Sequence, residues 1–374
     1  MGNKFDVLVT DSEYKHALAA VRCLGRNKLK VMTCSKKFSP TRFSRFSKAS
    51  FRSGEEEFIK KLLEEIKKNK VDLVMPIGYY SNILCSKNKD KIKKFSNIII
   101  ADYDKMLIAS NKEKMAEFVK KLKISAPKTW IVKNIEQANK IQFDGPMIIK
   151  SSIEMRGKKV EYVEDSKELK NIVKKRLIYG HQIVQERIFG FGCGFFALYK
   201  NGKLKASFQH KRMRQYPCSG GTSSAAESYY DKELEIAGGK ILDALKWEGV
   251  AMIEFIYDLK DKKYKFIEMN PKYWGSLDLA IASKVEFPYL EYLLTKKGNF
   301  KMPEYEKELR FQWVLPEDTL RIKTCLNRRQ ALKDYLGDLF NPAVKKDIGY
   351  IFIDPLPTII RLGGTIVKLF KNGI

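Results

Sequence analysis

Two neighbouring apolar runs, each interrupted by a single acid, constrain the fold of this chain more than any other feature. The first run, GVAMIEFIYD, spans 249–258 and contains Glu254; the second, FIEMNPK, spans 266–272 and contains Glu268. The polar loop LKDKK lies between them. Two strand-like runs joined by a short polar loop predict an antiparallel hairpin.

A hairpin centred on Asp261 would place Glu254 opposite Glu268 and Met252 opposite Asn270, and a bulge would shift this register by one residue. Side chains at i and i+2 of a strand share a face, so Glu268 and Asn270 would lie together. Opposed carboxylates repel each other on a half-buried sheet, whereas Mg²⁺ prefers oxygen ligands. The pattern predicts a Mg²⁺ (or Mn²⁺) site, and the alternative is an edge strand with a solvated polar face.

Composition limits the classes of protein to consider. A chain of 374 residues is long enough for two or three domains. Its six cysteines have no paired spacing, which predicts reduced thiols in the cytoplasm rather than a disulfide framework or a zinc site. The three histidines form no metal-ligand pair, and neither a signal-peptide run nor a membrane-spanning segment is predicted.

The net charge of +27 raises the question of nucleic-acid binding. Most lysines fall in mixed-charge helical patterns such as EEEFIKKLLEEIKKNK at 55–70, which is typical of a solvated helix face. Motifs of DNA- or RNA-binding folds are absent from the sequence, so no nucleic-acid partner is expected. A positive field would also attract nucleotides or an anionic surface.

The first hundred residues alternate between strand and helix patterns and predict a small α/β domain with a parallel sheet. The predicted strands are 5–10, 29–34, 71–78 and 97–102, and the predicted helices are 13–25, stopped by Gly25, and 55–68. The turn after the first strand has no G-x-G-x-x-G, which argues against a dinucleotide site.

From Ser110 onward the pattern becomes α+β. Ser110 is predicted to cap a helix, with Glu113 completing a capping box. The predicted strands are 128–132, 146–152, 181–188, 193–200 and 204–213, and Asn201-Gly202 is a hairpin turn signal. A helix is predicted ahead of the acidic hairpin, from Asp231 to Trp247.

Three segments of this region contain candidate binding residues. Lys150 ends an apolar strand, where it either neutralises an anion or extends its amine to solvent. SSIEMRGKKVEYV, which follows it, predicts a hairpin able to close over phosphates, and VQERIFGFGCG predicts a strand leading into a glycine-rich turn. HKRMRQYPCSGGTSSAAES at 210–228 combines basic residues with glycines whose amides could face an anion, or is a flexible surface loop.

The order of these motifs resembles that of the ATP-grasp superfamily, most closely its carbamoyl-phosphate-synthase-like carboxylate–amine ligases. The resemblance covers about residues 105–300. NKEKM is similar to the lysine-bearing helix start of the family, PMIIKSS to its phosphate-binding strand, VQERI to its adenine hinge, and IEF with FIEMNPK to its metal-binding strands.

The resemblance implies roles for individual residues. It implies Lys112, Lys150, Gln185, Glu186 and Ile188 as ATP-binding residues, with Glu186 and Ile188 acting through backbone atoms; Glu254, Glu268 and Asn270 as metal ligands; Arg212 and Lys272 as catalytic cations; and Lys211, Gly220, Gly221, Thr222 and Ser223 as substrate-binding residues. Cys218 has no base partner and is not expected to be catalytic.

Two departures from the family pattern affect the site. Gly192 lies near the place where many relatives hold the ribose hydroxyls with an acid, so the ribose ligand is unassigned. Lys272 replaces the usual arginine of the N-P-R triplet and loses its bidentate geometry.

The resemblance implies an N-terminal α/β (pre-ATP-grasp) domain at 1–105 and a two-subdomain ATP-grasp fold at 106–300, with its lid at about 125–190. It leaves 301–374 as an extension of uncertain fold. The pattern LRFQWV and the residues after it predict a strand and a helix packing on the core. The basic apolar end DPLPTIIRLGGTIVKLFKNGI either rests on an anionic membrane or docks on the protein or a second subunit, although Gly363-Gly364 would weaken a helix there.

The implied activity is ADP-forming ligation of a small-molecule carboxylate to an amine, or to a thiol, through an acyl phosphate. The acid and the amine are not defined by the sequence; amino acids and amino-sugar or uronic-sugar derivatives are the candidates. The alternatives are a regulatory protein that binds nucleotide without turnover and, with no motif in its favour, a basic protein that binds nucleic acid or a membrane surface.

Overall fold

A four-stranded parallel sheet forms the first unit of the chain. The computed structural model describes residues 4–152 and 160–371. The elements of this unit are β1 (Val7–Val9), α1 (Lys15–Arg26), β2 (Val31–Ser35), β3 (Ser47–Arg52), α2 (Phe58–Lys68), β4 (Leu73–Met75), α3 (Tyr79–Lys87), α4 (Lys89–Lys93) and α5 (Tyr103–Ala109). The strand order β3-β2-β1-β4 is parallel throughout, which confirms the predicted parallel sheet.

Three details of this unit differ from the prediction. Gly25 does not end α1; it lies inside the helix, where a Cβ would collide with the Phe46 ring. The run 97–102 is not a strand and makes one parallel bridge, between Asn97 and Leu73. The strand β3 was not predicted, because it is an edge strand whose side chains alternate between half-buried and exposed.

A second, antiparallel sheet of four strands follows. Its elements are α6 (Lys112–Lys121), β5 (Thr129–Val132), α7 (Ile135–Asn139), β6 (Met147–Ser151), β7 (Glu161–Val163), α8 (Ser166–Arg176) and β8 (Gln182–Glu186), with strand order β5-β8-β6-β7. The predicted cap of α6 is wrong: the side chain of Asn111, not Ser110, accepts from the Lys114 N–H at 3.0 Å. The phosphate-covering hairpin predicted after Lys150 falls largely on 153–159, outside the described residues.

The third sheet has seven strands in the order β13-β12-β9-β10-β11-β14-β15. The elements of this region are β9 (Gly190–Lys200), β10 (Lys203–Tyr216), β11 (Thr222–Ser228), α9 (Lys232–Ala244), β12 (Gly249–Asp258), β13 (Tyr264–Asn270), α10 (Leu277–Ala282), α11 (Phe287–Lys297), β14 (Arg310–Gln312), α12 (Thr319–Thr324), α13 (Arg328–Phe340), β15 (Lys345–Lys346) and α14 (Pro355–Lys371). The predicted Asn201-Gly202 turn joins β9 to β10, with positive φ at both residues.

Two predicted loops are strands in the structure. Gly192 and Gly194 lie within β9 rather than in a turn, where they pair with β12. The segment 210–228 is mostly an antiparallel hairpin of β10 and β11, closed by the turn 217–221. Residues 210–216, HKRMRQY, are almost all polar and therefore lack the apolar alternation that marks a half-buried strand.

The first and third sheets share their hydrophobic cores. Phe195 and Ile253, on one face of the seven-stranded sheet, belong to the same buried cluster as Leu8 of β1. Phe196 and Trp274 belong to a second cluster with Val7 and with residues of α1. The second sheet has a separate small core beneath α7 and α8. The N-terminal unit is therefore packed against the sheet that carries the acidic hairpin.

The C-terminal segment packs back on the β10–β11 hairpin around Asp318. This carboxylate has no exposed surface, and it accepts from Arg214 at 2.8 Å and Arg321 at 3.0 Å. Cys218 and Cys325 form a disulfide across the same contact, so the prediction of reduced thiols is wrong for this pair; the other four cysteines are free and buried.

The helix α14 continues through Gly363 and Gly364, which were expected to weaken it. No helix in the described ranges combines the length and the apolarity needed to cross a bilayer.

Candidate active site

The acidic hairpin has the predicted register. Glu254 pairs with Glu268, and Met252 pairs with Asn270. A bulge follows Glu254, so the register shifts by one residue only beyond the two acids. The Asn270 side-chain amide donates to the Glu268 carboxylate at 3.0 Å. Two carboxylates and an amide therefore lie together on one face of β12 and β13.

The two carboxylates experience different fields. Burial raises the pKa of Glu254, and the neighbouring Glu268 adds to that rise against the opposing charge of Arg212. Burial alone would also raise the pKa of Glu268, but Lys112 and Lys150 outweigh it and hold this pKa at about 2. Glu268 is thus ionised throughout the physiological range, while Glu254 is the more easily protonated member of the pair.

Four cationic side chains from four different segments of the chain lie around this pair. Lys112, at the start of α6, lies 3.0 Å from the Glu268 carboxylate, and Arg212 of β10 lies 3.6 Å from that of Glu254. The Lys272 amine donates to the Asn270 side-chain oxygen at 3.4 Å. The fourth cation is Lys150, whose amine donates to the Ile267 carbonyl at 3.4 Å.

Lys150 is the most buried of these cations, with 6% of its surface exposed. It is the second-last residue of β6, and its amine also donates to the Gln185 side-chain oxygen at 3.0 Å. Burial lowers the pKa of this amine to about 8, against the opposing attraction of Glu268. An anion placed beside Lys150 would favour its charged form.

The strand end at Gln185, Glu186 and Ile188 is only partly available to a ligand. The Gln185 side chain is engaged on both sides, since its amide also donates to Thr129 Oγ1 at 2.8 Å. The Glu186 N–H donates to the Lys128 carbonyl at 2.9 Å. Within the described residues, the Ile188 N–H makes no backbone hydrogen bond.

The β10–β11 hairpin brings one predicted substrate residue next to a catalytic candidate. Arg212 donates to the Ser223 hydroxyl at 3.2 Å and to the Gln215 side-chain oxygen at 3.2 Å. His210 is buried against Phe196 on the same face, where burial and the Arg212 charge lower its pKa to about 3. The Arg212 side chain is therefore oriented by Ser223 and Gln215 of its own hairpin and by Glu254 of β12.

The remaining residues predicted for this hairpin are placed differently. Lys211 lies on the opposite face of the sheet, with its amine 5.5 Å from the centre of the Phe191 ring. The Gly220 N–H donates within the turn, to the Pro217 carbonyl at 3.1 Å, and Thr222 is exposed. At Gly221 a Cβ would collide with the Tyr216 carbonyl. The glycines shape the turn rather than offering a row of free amides.

Two contributors to the site were missed by the sequence analysis. Burial, with the nearby charges of Lys272 and Lys15, lowers the pKa of His16 at the start of α1 to about 3. The hydroxyl of Tyr162 on β7 donates to the Ser219 carbonyl, which ties the second sheet to the β10–β11 turn. Neither residue belongs to a motif, so no local signal marked them.

Comparisons with known proteins agree with this arrangement. Residues 109–276 match the family model of the ATP-grasp domain. The fold and the order of the site residues agree with this match, and the predicted resemblance to the ATP-grasp superfamily is confirmed over these residues. The matched residues lie between the parallel sheet and the C-terminal segment. No curated protein sequence matches it significantly.

Solved structures with the same fold share little sequence with this chain. The Campylobacter jejuni biotin carboxylase in its β-γ-ATP complex has a TM-score of 0.64 and 15% identity, covering 82% of this chain and 74% of that one. The biotin carboxylase domain of the Hydrogenobacter thermophilus 2-oxoglutarate carboxylase, with MgADP and bicarbonate, has a TM-score of 0.64 and 13% identity, covering 82% of this chain and 74% of that one. The Bacillus licheniformis L-amino acid ligase has a TM-score of 0.61 and 16% identity, covering 80% of this chain and 77% of that one.

Proposed function

We propose that this chain is an ATP-dependent, ADP-forming ligase that joins a small-molecule carboxylate to an amine. The observation that carries the proposal is the convergence of Lys112, Lys150, Arg212 and Lys272 on the Glu254–Glu268 pair. Phosphoryl transfer needs positioned cations around the moving group more than it needs a nucleophilic side chain.

The acidic hairpin has the donor set that a magnesium ion requires. The described residues contain no cluster of three or more His, Cys, Asp or Glu side chains that could hold a metal. The proposed site therefore relies on two carboxylates and one side-chain amide. Mg²⁺, or Mn²⁺, commonly takes one or two carboxylates and completes its shell with phosphate oxygens and water. Glu254, Glu268 and Asn270 fit this role, and the bound ion would neutralise charge on the nucleotide phosphates.

The chain's own residues divide the remaining tasks. Lys150 and Lys112 are positioned to bind the nucleotide phosphates, and backbone atoms at Glu186 and Ile188 to bind adenine. Within that hinge, the Ile188 N–H and the Glu186 carbonyl are the atoms we assign, because the Gln185 side chain and the Glu186 N–H have other partners.

Arg212 and Lys272 would stabilise the transferred phosphoryl group. An oxygen of the substrate carboxylate attacks the γ-phosphorus, and the bond from that phosphorus to the β-γ bridging oxygen breaks to release ADP. The amine nitrogen then attacks the acyl carbon, phosphate leaves with its bonding electrons, and the nitrogen loses a proton. Ser223, beside Arg212, is the best placed of the predicted substrate residues.

The acid and amine classes are amino acids and amino-sugar or uronic-sugar derivatives, which we propose to screen as either partner. The assay measures ADP release by the full chain with ATP and Mg²⁺, and the expected result is release that depends on both an acid and an amine. ATP binding without ADP release across the whole screen would instead favour a regulatory protein.

Replacement of Glu268 by Gln tests the metal assignment. Glu268→Gln keeps the size of the side chain but removes the charge that the cation requires, so Mg²⁺-dependent ADP release should be lost while the fold remains. The matched control is Glu117→Gln, on the exposed face of α6, which should keep wild-type turnover. Wild-type activity in Glu268→Gln would show that this carboxylate is not a metal ligand.

A further inference from the structure

The polarity of α14 is inverted relative to a helix that packs on a protein core. The buried positions of α14 are Pro357, Thr358 and Thr365, and the half-buried Arg361 pairs with Asp347 at 3.1 Å. The positions facing outward are apolar and 42–76% exposed, namely Leu356, Ile359, Leu362, Ile366, Val367 and Phe370. We call these six residues the α14 outer face. An exposed apolar face of this kind marks an interaction surface.

The helix α13 adds a second apolar stripe. Leu332, Leu336 and Phe340 are spaced by four residues, so they lie along one side of α13, and they are 44%, 38% and 78% exposed. Between α13 and α14 lies a cavity of about 1430 Å³, lined by Leu339 of α13 and by Leu362 of the α14 outer face. The two helices therefore flank one apolar depression.

The charges around this surface are mostly positive: among the charged residues that line the cavity, Arg26, Lys284, Lys345 and Lys346 are basic, and the one acid, Glu286, lies 3.5 Å from Arg26. Each acid between Thr319 and Lys371 is paired with an arginine: Asp334 with Arg321, Asp338 with Arg214, Asp347 with Arg361 and Asp354 with Arg22. The exposed charged side chains of the same segment are basic, and include Arg328, Arg329, Lys333, Lys345 and Lys368. Basic residues beside an apolar helix face are typical of a helix that lies in the surface of an anionic membrane.

We propose that the α14 outer face and the apolar depression beside it bind the surface of an anionic phospholipid bilayer. The apolar side chains enter the boundary between headgroups and acyl chains, and the surrounding lysines and arginines contact lipid phosphates. A second copy of the chain is a poorer occupant, because it would bring a second set of exposed basic residues against the first.

Membrane binding at this surface leaves the candidate active site open. Lys15, at the start of α1, lies beside the Lys272 region, whereas Arg26, at its end, lines the cavity. Since α1 has 12 residues, these two ends are about 18 Å apart. The inference does not depend on the proposed ligase activity, because its test measures vesicle binding.

The test is co-sedimentation of the full chain with vesicles of dioleoyl phosphatidylcholine and phosphatidylglycerol at 3:1, and with vesicles of phosphatidylcholine alone. The chain should bind the anionic vesicles at low salt and dissociate at high salt. The triple variant Ile359→Gln, Ile366→Gln, Phe370→Gln should lower the bound fraction at least about tenfold. Because all three side chains are exposed, the fold should remain, as checked by circular dichroism.

A matched triple variant elsewhere controls for general hydrophobicity. Phe95, Ile178 and Ile236 are 46%, 77% and 58% exposed and lie outside α13 and α14, so their replacement by Gln should leave vesicle binding unchanged. A chain that stays in the supernatant at low salt would overturn the proposal. An equal loss of vesicle binding in the α14 triple variant and in the control triple variant would overturn it too. Binding that is equally strong without anionic lipid would also overturn it. A self-associated chain that ignores vesicles, and becomes monomeric in the α14 variant, would assign the face to a second copy instead.

Discussion

Lys150 and Lys112 both direct a positive charge at Glu268, but they differ in exposure. Lys150 is buried, whereas the Lys112 side chain is 27% exposed. Charge interactions are screened less in a buried site. Lys150→Ala should therefore weaken ATP binding roughly 10- to 100-fold, the range expected for losing hydrogen bonds to a charged group. Lys112→Ala should weaken it by less than about fivefold.

Isothermal titration calorimetry with ATP measures both affinities. The control is Lys114→Ala, an exposed lysine on the same helix, which should bind ATP as the wild type does. Equal losses in Lys150→Ala and Lys112→Ala would contradict the assignment of Lys150 as the principal phosphate ligand.

Glu291 provides a residue-scale test of pH dependence. It is buried on α11, accepts from the Tyr273 hydroxyl at 2.7 Å, and burial raises its pKa from the ordinary 4.5 to about 8. Between these values the folded chain holds a proton that the unfolded chain releases, so stability falls as pH rises. Glu291→Gln resembles the protonated form and should remove this loss.

The unfolding temperature of the wild type should therefore fall more steeply between pH 5 and pH 9 than that of Glu291→Gln, as followed by circular dichroism. In Glu117→Gln the pH dependence should remain that of the wild type. If Glu291→Gln and the wild type have parallel profiles, Glu291 is not held neutral by its surroundings.

At the scale of an element, the β10–β11 hairpin separates two neighbouring cations. Arg212 faces Glu254 and Lys211 faces Phe191, on opposite sides of the sheet. Arg212→Ala should lower kcat by about 10²- to 10³-fold with little change in ATP affinity, as expected for a group that stabilises the transition state. Lys211→Ala removes the same charge one residue away and should keep near-wild-type kcat.

Both constants are measured with saturating ATP once a substrate pair is found. An unchanged kcat in Arg212→Ala would remove this residue from the mechanism. A large loss in Lys211→Ala would show that the hairpin as a whole, rather than one of its faces, serves the reaction.

The acidic hairpin was predictable because its information is local. A short polar loop and a period of two were sufficient to pair Glu254 with Glu268. The cap of α6 was predicted one residue early because serine and asparagine both cap helices and they are adjacent here. The disulfide of Cys218 with Cys325 was not predictable, since it joins residues 107 apart that only the tertiary fold brings together.

At the scale of the whole molecule, Asp354 connects the C-terminal segment to α1 and to the residues before β3 in the N-terminal unit. Its carboxylate accepts from Arg22 at 2.9 Å and from the Ser44 hydroxyl at 2.8 Å, and both charged side chains are almost completely buried. Removing one partner leaves an uncompensated buried charge. Asp354→Ala should therefore lower the free energy of unfolding by about 3–5 kcal/mol.

Urea unfolding measures the loss as a shift of the midpoint. As a control, Asp102→Ala removes a carboxylate that is 55% exposed beside Lys89 and Lys105, and it should cost at most about 1 kcal/mol. Equal midpoints for Asp354→Ala and the wild type would mean that this buried pair adds nothing to the cohesion of the two regions.

The Arg22–Asp354 pair can form only after both residues have been synthesised, which affects the order of folding during translation. The two residues are 332 positions apart, and ribosomes add about 5 to 20 residues per second. Arg22 therefore waits roughly 17 to 66 s for its partner to be made. Throughout that interval α1 of the nascent N-terminal unit carries an arginine that cannot be buried without cost. The burial of Arg22 is therefore expected to follow translation of the segment that contains Asp354.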